Sequence, residues 1–561
     1  ASGNSVLTGD VRVSGVAVNL GTRVGDCLEE GPGPFVGGPC AVYAAPAAGT
    51  PTADLTLLSG TTWTGASLGA TNVTVNNATW NVTANSLVTQ AITNAGTVAF
   101  TPYAGSYRTL TTTNYVGQSG SLGLNTYLAS DGSPSDLLII NGGTASGSSG
   151  LLINNTGPGA ETTGNGIQVV RTIAGGTTAT NAFRLGRAAV AGPYEYELHR
   201  GTIDASDPDG WYLRTRQNDC AMLAAPCPAP YIRPEISVYT AIAPSALLYG
   251  STLLDTLDER IGRSEGPGPV GQNGLSAGND NKKDRNVWGR VIGMRGSRDG
   301  DVRGIYGYGP SYDYSFYGLQ VGTDLYRKPR EDGHRDQAGI YGAIGYAKTD
   351  VTHYDQTNAG NNRFTGYSLG GYWTHMSAED TYLDLIGQVT HYDVRASSQR
   401  GLPDLKTNGL GWALSGETGK PIRMQQDWIV EPQAQLVYQS LHLDDATDAG
   451  ATMQFSNMDS LQGRLGVRIA KDTKGKEEAT GGGVRLSVWR EFKGTPVTSI
   501  STASGYLPFR ADMGGSWWEI KAGLTSKRNK RTYFYGNIGY QQTFDKAAYA
   551  WDAKLGMRVD W

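Results

Sequence analysis

Tyr549-Ala550-Trp551-Asp552-Ala553-Lys554-Leu555-Gly556-Met557-Arg558-Val559-Asp560-Trp561 is the stretch that decides how this chain folds. Tyr549, Trp551, Ala553, Leu555, Met557, Val559 and Trp561 take one face of an extended strand, and Ala550, Asp552, Lys554, Gly556, Arg558 and Asp560 take the other. Such alternation means that one side meets something apolar and the other something wet. The split recurs upstream. Trp518, Ile520, Ala522 and Leu524 oppose Trp517, Glu519, Lys521 and Gly523; Leu465, Val467 and Ile469 oppose Arg464, Gly466 and Arg468; Val430, Pro432, Ala434 and Leu436 oppose Glu431, Gln433 and Gln435. A soluble sandwich shows the same alternation, so length and number have to decide. From Asn286 onward the chain divides into twelve such segments, an even antiparallel set whose members are long enough to cross a bilayer at a tilt of ~40°.

The expected fold class is therefore all-β, ending in a 12-stranded antiparallel transmembrane β-barrel. Glu431, Arg464, Arg468, Arg485, Glu491, Glu519, Lys521 and Arg558 are expected to face its lumen, solvating the wall. Tyr312, Tyr314 and Tyr317, with Trp517 and Trp518, are candidates for interfacial girdles. Composition agrees: glycine is 78 and tyrosine 30 of 561 residues, with only 17% charged, which favours turn-rich, aromatic-rich β-structure. A net charge of −4 offers no basic surface for nucleic acid. No run reaches the ~18 apolar residues of a membrane-spanning helix. The opening Ala1-Ser2-Gly3-Asn4 has no basic or apolar leader region, so any signal peptide is expected to have been removed or to lie upstream.

Residues 1–281 contain no lysine, and Lys282 starts a different composition. Gly266-Pro267-Gly268-Pro269 and the glycines after it read as a connection between separately folded units. The expected division is a domain over 1–232, a linker over 233–281 and the barrel over 282–561. In the first domain, Leu55-x-Leu57 leads to Trp63, Val73-x-Val75 to Trp80 and Leu87-x-x-x-Ala91 to Phe100; Leu137 to Gly142 and Leu151 to Asn155 echo the theme. Short strands at near-regular intervals point to a right-handed β-helix-like solenoid, with a β-sandwich as the rival. Within the linker, Pro244 suits a first helical turn and Leu247, Leu254, Leu257 and Ile261 recur at helical spacing, which predicts a helix over 244–263. Asp255, Asp258, Glu259, Arg260 and Arg263 on it are candidates for contacts with lumenal charges. Cys27 with Cys40, and Cys220 with Cys227, are spaced as short-loop disulfides of an oxidising compartment.

Catalytic motifs carry little. Gly65-Ala66-Ser67-Leu68-Gly69 and Gly366-Tyr367-Ser368-Leu369-Gly370 match the nucleophile-elbow pattern without its strand-to-helix context. The six histidines show no ligand spacing. No enzyme activity, metal or cofactor is expected.

The chain resembles the pertactin-like autotransporters over nearly its whole length. Lys554-Leu555-Gly556-Met557-Arg558-Val559-Asp560-Trp561 looks like the signal read by the barrel assembly machinery, with Lys554, Gly556, Val559 and Trp561 at its marked positions; Trp561 stands where Phe is commoner. Asn154-Asn155 through Thr162-Thr163 to Gly166-Ile167-Gln168-Val169-Val170, continued by Tyr194-Glu195-Tyr196 and Trp211-Tyr212-Leu213, resembles the autochaperone junction. Arg233-Pro234-Glu235 leads into the helix, and Trp288-Gly289-Arg290 opens the barrel. The resemblance implies a monomeric outer-membrane barrel in lipid, assembled by that machinery, which carries its own passenger to the cell surface and keeps the helix in its lumen. It equally admits a surface adhesin whose barrel is only an anchor. Some members cut themselves at an Asn of this helix; here there is none, and Asp255 and Asp258 are the nearest substitutes.

Overall fold

The computed structural model describes residues 5–13, 52–216, 229–261, 286–300, 309–330, 332–471, 479–528 and 531–560. Cys27, Cys40, Cys220, Cys227 and Trp561 lie outside the described residues, as do positions 262 and 263 of the expected helix. The chain forms two compact units, one of Ala1–Arg233 with Ser501–Gly505 and one of Pro234–Ile500 with Tyr506–Trp561.

The first unit is a stack of parallel coils, which disposes of the sandwich. Ser67–Val82, Ser86–Phe100 and Thr109–Thr126 pair side by side in parallel, and Leu137–Asn141 and Thr144–Asn155 add to the last of them. Like residues fall in register: Trp63 sits beside Trp80, Trp80 beside Val98, Val98 beside Leu122 and Leu122 beside Leu151. All five are fully buried, so each coil hides its apolar face only by lying on the next. The two indoles stack 4.6 Å apart, and their N–H groups donate to the carbonyls of Gly9 (2.9 Å) and Gly65 (3.0 Å). The stack ends in a change of direction. Ile167–Ile173 is parallel to Leu137–Asn141 on one side but antiparallel to Trp211–Arg214 on the other, and Trp211–Arg214 pairs antiparallel with Tyr194–Arg200. An antiparallel hairpin thus covers the edge that one more coil would have occupied.

The second unit holds twelve long antiparallel strands: β1 (Asn286–Arg298), β2 (Ser311–Pro329), β3 (Arg335–Thr352), β4 (Asn358–Met376), β5 (Tyr382–Ser398), β6 (Leu405–Gly419), β7 (Trp428–Leu443), β8 (Asp459–Lys471), β9 (Ala479–Glu491), β10 (Gly515–Lys527), β11 (Thr532–Thr543) and β12 (Ala548–Asp560). Each pairs with its sequence neighbours, and β1 pairs with β12 from Asn286↔Asp560 to Arg298↔Ala548, so the sheet closes on itself. The sense of burial is inverted. Leu369, Leu414, Leu436, Leu465 and Leu555 lie on the outer face with more than half of their surface exposed, while Gln388, Glu417, Gln433 and Arg464 lie on the inner face and are buried. A water-soluble sheet cannot leave such a band exposed; a barrel set in hydrocarbon requires it.

Three α-helical segments belong to this unit among the described residues: α1 (Glu235–Thr240), α2 (Ile242–Leu254) and α3 (Leu257–Ile261). The expected helix over 244–263 therefore starts too late. Ala241 keeps helical angles between α1 and α2, so one nearly continuous helix runs over Glu235–Leu254. Pro244 lies inside it and has no N–H to give to the carbonyl of Thr240, the residue at which α1 ends. The expectation also missed a break. Asp255 takes φ 47°, ψ −170° between α2 and α3, although no glycine or proline marks the place.

Candidate functional site in the barrel lumen

The helix fills the barrel from end to end. Its first residue, Glu235, accepts hydrogen bonds from Ser398 (2.6 Å) and Arg400 (2.9 Å) at one end of β5, whereas Arg260 on α3 reaches Asp384 (2.5 Å) near the other end of that strand. Twenty helical residues measure ~30 Å, about one hydrocarbon thickness.

Two devices position the helix. The first is an aromatic socket. Tyr249 on α2 lies against Gly345 and Gly366, where any Cβ would collide with its ring, and the rings of Phe316, Phe364 and Tyr392 meet it edge-on at centroid distances of 6.0, 5.5 and 6.1 Å. Leu247, Leu254 and Leu257 are buried alongside, with Leu254 in a cluster with Trp288, Tyr341 and Ile386. The side chain of Ile261 lies outside the described residues. Glycines on the wall explain how a bulky ring passes so close to a strand backbone.

The second device is a belt of charge at the helix break. Asp255 pairs with Arg290 of β1 (3.0 Å) and Lys554 of β12 (2.5 Å). Glu259 pairs with Lys554 (2.7 Å), Lys521 of β10 (3.2 Å) and Arg485 of β9. Asp258 pairs with Arg468 of β8 (3.3 Å). Arg260 adds a stacking contact, its guanidinium 3.9 Å from the ring centre of Tyr372. The backbone N–H of Leu257 donates to Glu417 (2.8 Å), which also takes the Arg464 pair (3.1 Å). Isolated ion pairs in a wet lumen are weak, but Asp255 and Glu259 each face several cations with their carboxylates buried, and removing one partner strands the others.

Of the residues expected to face the lumen, Arg468, Arg485 and Lys521 contact the helix directly. Glu519 supports them, 3.5 Å from Arg485 and 3.4 Å from Lys521. Glu431 lies 3.7 Å from Arg468, and Arg464 is tied to Gln433, Gln435 and Glu417. Glu491 and Arg558 share those inner faces but bond within the wall: Glu491 lines a cavity with Asp255 and accepts from Ser460 and the Leu461 backbone, and Arg558 pairs with Asp560 on its own strand. Arg290, Asp384, Glu417 and Asp552 were missed. Lys554, expected only as part of an assembly signal, is a helix contact. Gly556 faces the Tyr535 ring, which leaves no room for a Cβ, and Val559 pairs with Val287 and Thr532.

Two other expectations change. Tyr312 and Tyr314 are buried on the inner face, Tyr314 stacking on Phe316 at 5.0 Å, so of that trio only Tyr317 stands outside, 59% exposed. The trio spans both parities of one strand, and a strand cannot show both to lipid. Trp517 stacks on Trp489, while Trp518 joins Tyr540 and Trp551 in an aromatic group. His334 and His375, apart in sequence, sit 3.2 Å from each other, with His375 also bonded to Asp336 (2.8 Å). Among the described residues no group of three or more potential ligands could hold a metal.

With this geometry in hand, comparison with known proteins places the chain. Residues 287–539 match the family model described as the Autotransporter beta-domain, and residues 86–198 match the Autochaperone Domain Type 1. Residues 287–539 belong to the autotransporter β-domain family. The adhesin BmaC autotransporter of Brucella suis is 28% identical over 77% of the chain, the BrkA autotransporter of Bordetella pertussis 26% over 90%, and the pertactin autotransporter of Bordetella bronchiseptica 25% over 92%. The chain spans 12%, 45% and 56% of the length of these relatives. Among solved structures, the transport unit of the Escherichia coli autotransporter AIDA-I is 19% identical over 59% of this chain and 99% of its own (TM-score 0.46), and the NalP translocator domain of Neisseria meningitidis 14% over 58% and 99% (TM-score 0.43). The barrel is therefore an autotransporter β-domain, a barrel of the outer membrane.

Proposed function

We propose that the barrel exports the passenger to which it is joined and then remains as its anchor, with the pore helix as the closing element. The observation that carries this reading is the helix itself, which follows directly on the coil-forming unit and occupies the lumen through the Tyr249 socket and the Asp255–Glu259 belt. Residues 1–232 are taken as the passenger end, 233–281 as the linker with the helix and 282–561 as the translocator. The solenoid supports export without an energy source, because coils added one on another outside the cell bias net movement outward. Lys554, Gly556, Val559 and Trp561 are assigned to recognition by the barrel assembly machinery, and the exposed outer leucines to lipid. The barrel works as a monomer.

Protease added to intact cells tests the proposal. A protected fragment that begins near Pro234, the barrel with its lumenal helix, and runs fast on a gel before heating is the expected result; digestion of the whole chain would sink it. A second reading, in which the passenger acts as an adhesin, is favoured by relatives named as adhesins in Brucella suis and Escherichia coli. Retention of the passenger on washed cells, with binding to host surfaces that passenger deletion removes, would support it.

We also infer that the chain is not an enzyme. Ser67 is buried and donates to the Leu87 carbonyl (2.7 Å), and Ser368 bonds Thr390 (2.8 Å); both lie within strands. One relative is a serine protease, EspC of Escherichia coli, which matches 42% of this chain.

A further inference from the structure

The outer face of the barrel carries a stripe of cations that folding alone does not explain. Lys348 on β3 stands directly opposite Arg363 on β4, Arg363 opposite Arg395 on β5, and Arg395 opposite Lys406 on β6. Four consecutive strands thus place four like charges in adjacent positions on one face, over about 14 Å at the usual strand spacing. Like charges directly opposite across a sheet are destabilising. Flanking carboxylates relieve only part of this. Asp350 holds Lys348 at 2.7 Å, Asp404 lies 3.7 Å from Arg395, and Asp393 sits two residues from Arg395 on the same face. Among the described residues, Arg363 and Lys406 have no ion-pair partner, and both are exposed.

The opposite rim of the same wall is built differently. There Arg335 and Arg423 both pair with Asp380 (2.8 and 2.9 Å), Lys420 with Glu379 (3.3 Å) and Arg330 with Asp336 (2.5 Å). Position supplies the second observation. On β4 the exposed residues run from Trp373 through Leu369 and Tyr367 to Arg363. Ten residues at about 3.3 Å each and a tilt of ~40° rise about 25 Å, the height of the apolar band of such barrels. The stripe therefore lies where the hydrocarbon stops, at the end where Glu235 meets Ser398 and the helix enters.

We propose that Lys348, Arg363, Arg395 and Lys406 form a binding site for the phosphate groups of an anionic lipid headgroup in the outer leaflet. Guanidinium forks match phosphate oxygens bidentately, and a ligand carrying two phosphates would neutralise neighbouring cations that the protein leaves facing each other. The inference rests on the outer-membrane placement of the barrel, which the protease experiment tests separately.

The test is native mass spectrometry of the full chain in a neutral detergent, titrated with bis-phosphorylated lipid A, with the same lipid dephosphorylated, and with inorganic phosphate. The parent is expected to retain the phosphorylated lipid selectively. The Arg363→Gln/Arg395→Gln double variant should bind about 30-fold more weakly, at roughly fivefold per cation near an anionic headgroup. A Lys420→Gln/Arg423→Gln variant at the other rim should bind like the parent. Unchanged gel heat-modifiability identifies variants that still fold. Equal retention by parent and stripe variant, equal binding of the dephosphorylated lipid, or displacement of the lipid by inorganic phosphate at matched concentration would each overturn the proposal.

Discussion

The two halves of this chain use one period-two pattern in opposite senses. In the passenger coils, Trp80, Val98 and Leu122 turn inward and are fully buried. In the barrel it is the polar side that turns inward, and Leu369, Leu465 and Leu555 face outward at 68%, 71% and 68% exposure. A solenoid hides apolar surface from water within itself; a transmembrane barrel gives that surface to lipid and must fill its own centre with something polar or with another element. The difference teaches that alternation in a strand reports a boundary between two media and not which side is the inside.

The largest expected effect breaks the comparison at the lumen. Glu259→Ala strands Arg485, Lys521 and Lys554 around one lost carboxylate and should cost about 3–5 kcal/mol of helix-in-barrel stability. A lower temperature for the fast-to-slow gel transition, with larger single-channel conductance, is the expected readout, and an unchanged transition would deny the belt its role. Next comes the lipid face: Leu369→Arg should cost about 2–4 kcal/mol in folding into bilayers, measured by denaturant titration in vesicles, whereas in a soluble sheet an exposed Leu→Arg would be nearly silent.

Within the solenoid, buried Asn94 donates to Tyr115 (3.0 Å) and to the Ser121 carbonyl (3.0 Å) and accepts from the Gly96 N–H. Asn94→Leu should lose about 1–3 kcal/mol, seen as a lower urea midpoint for the passenger but not for the barrel. The smallest effect is one of pH. His199 is held down to about 4, from an ordinary 6.5, first by burial and then by the Arg214 charge. A depressed histidine favours the folded state while neutral, so its contribution is present above about pH 6.5 and fades as pH falls toward 4. A shallow loss of passenger stability of no more than about 1 kcal/mol is expected there, and His199→Gln should flatten it.

Much of this was legible, and the limits were physical. β12 could be read from its thirteen alternating residues because each face met one medium. Trp63 and Trp80 marked equivalent coil positions because stacked coils repeat the same environment. The start of the helix was missed because Ile236, Val238 and Thr240 are β-branched and read as strand; the barrel wall stabilises helix there against that preference. The break at Asp255 has no local signal at all, since it is stabilised by Arg290 and Lys554, 35 and 299 positions away. Asp552 was already on the wet face that alternation defines for β12, though not counted among the lumenal charges, and the same parity applied to β1 would have found Arg290. Tyr312 and Tyr314 were grouped with Tyr317 by proximity in sequence when parity alone separates them.

The pairing of β1 with β12 has a bearing on the order of events in the cell. The barrel's first strand finds its second neighbour only in the last residues described, from Ala548 to Asp560, so neither β1 nor β11 can lose its open edge until the final strand exists. Open edges invite mispairing, and closing a loop of this length is slow. The seam therefore works as a completion check: a chain whose synthesis stops before Ala548 has a cylinder with a slit, and only one that includes β12 can become a sealed wall.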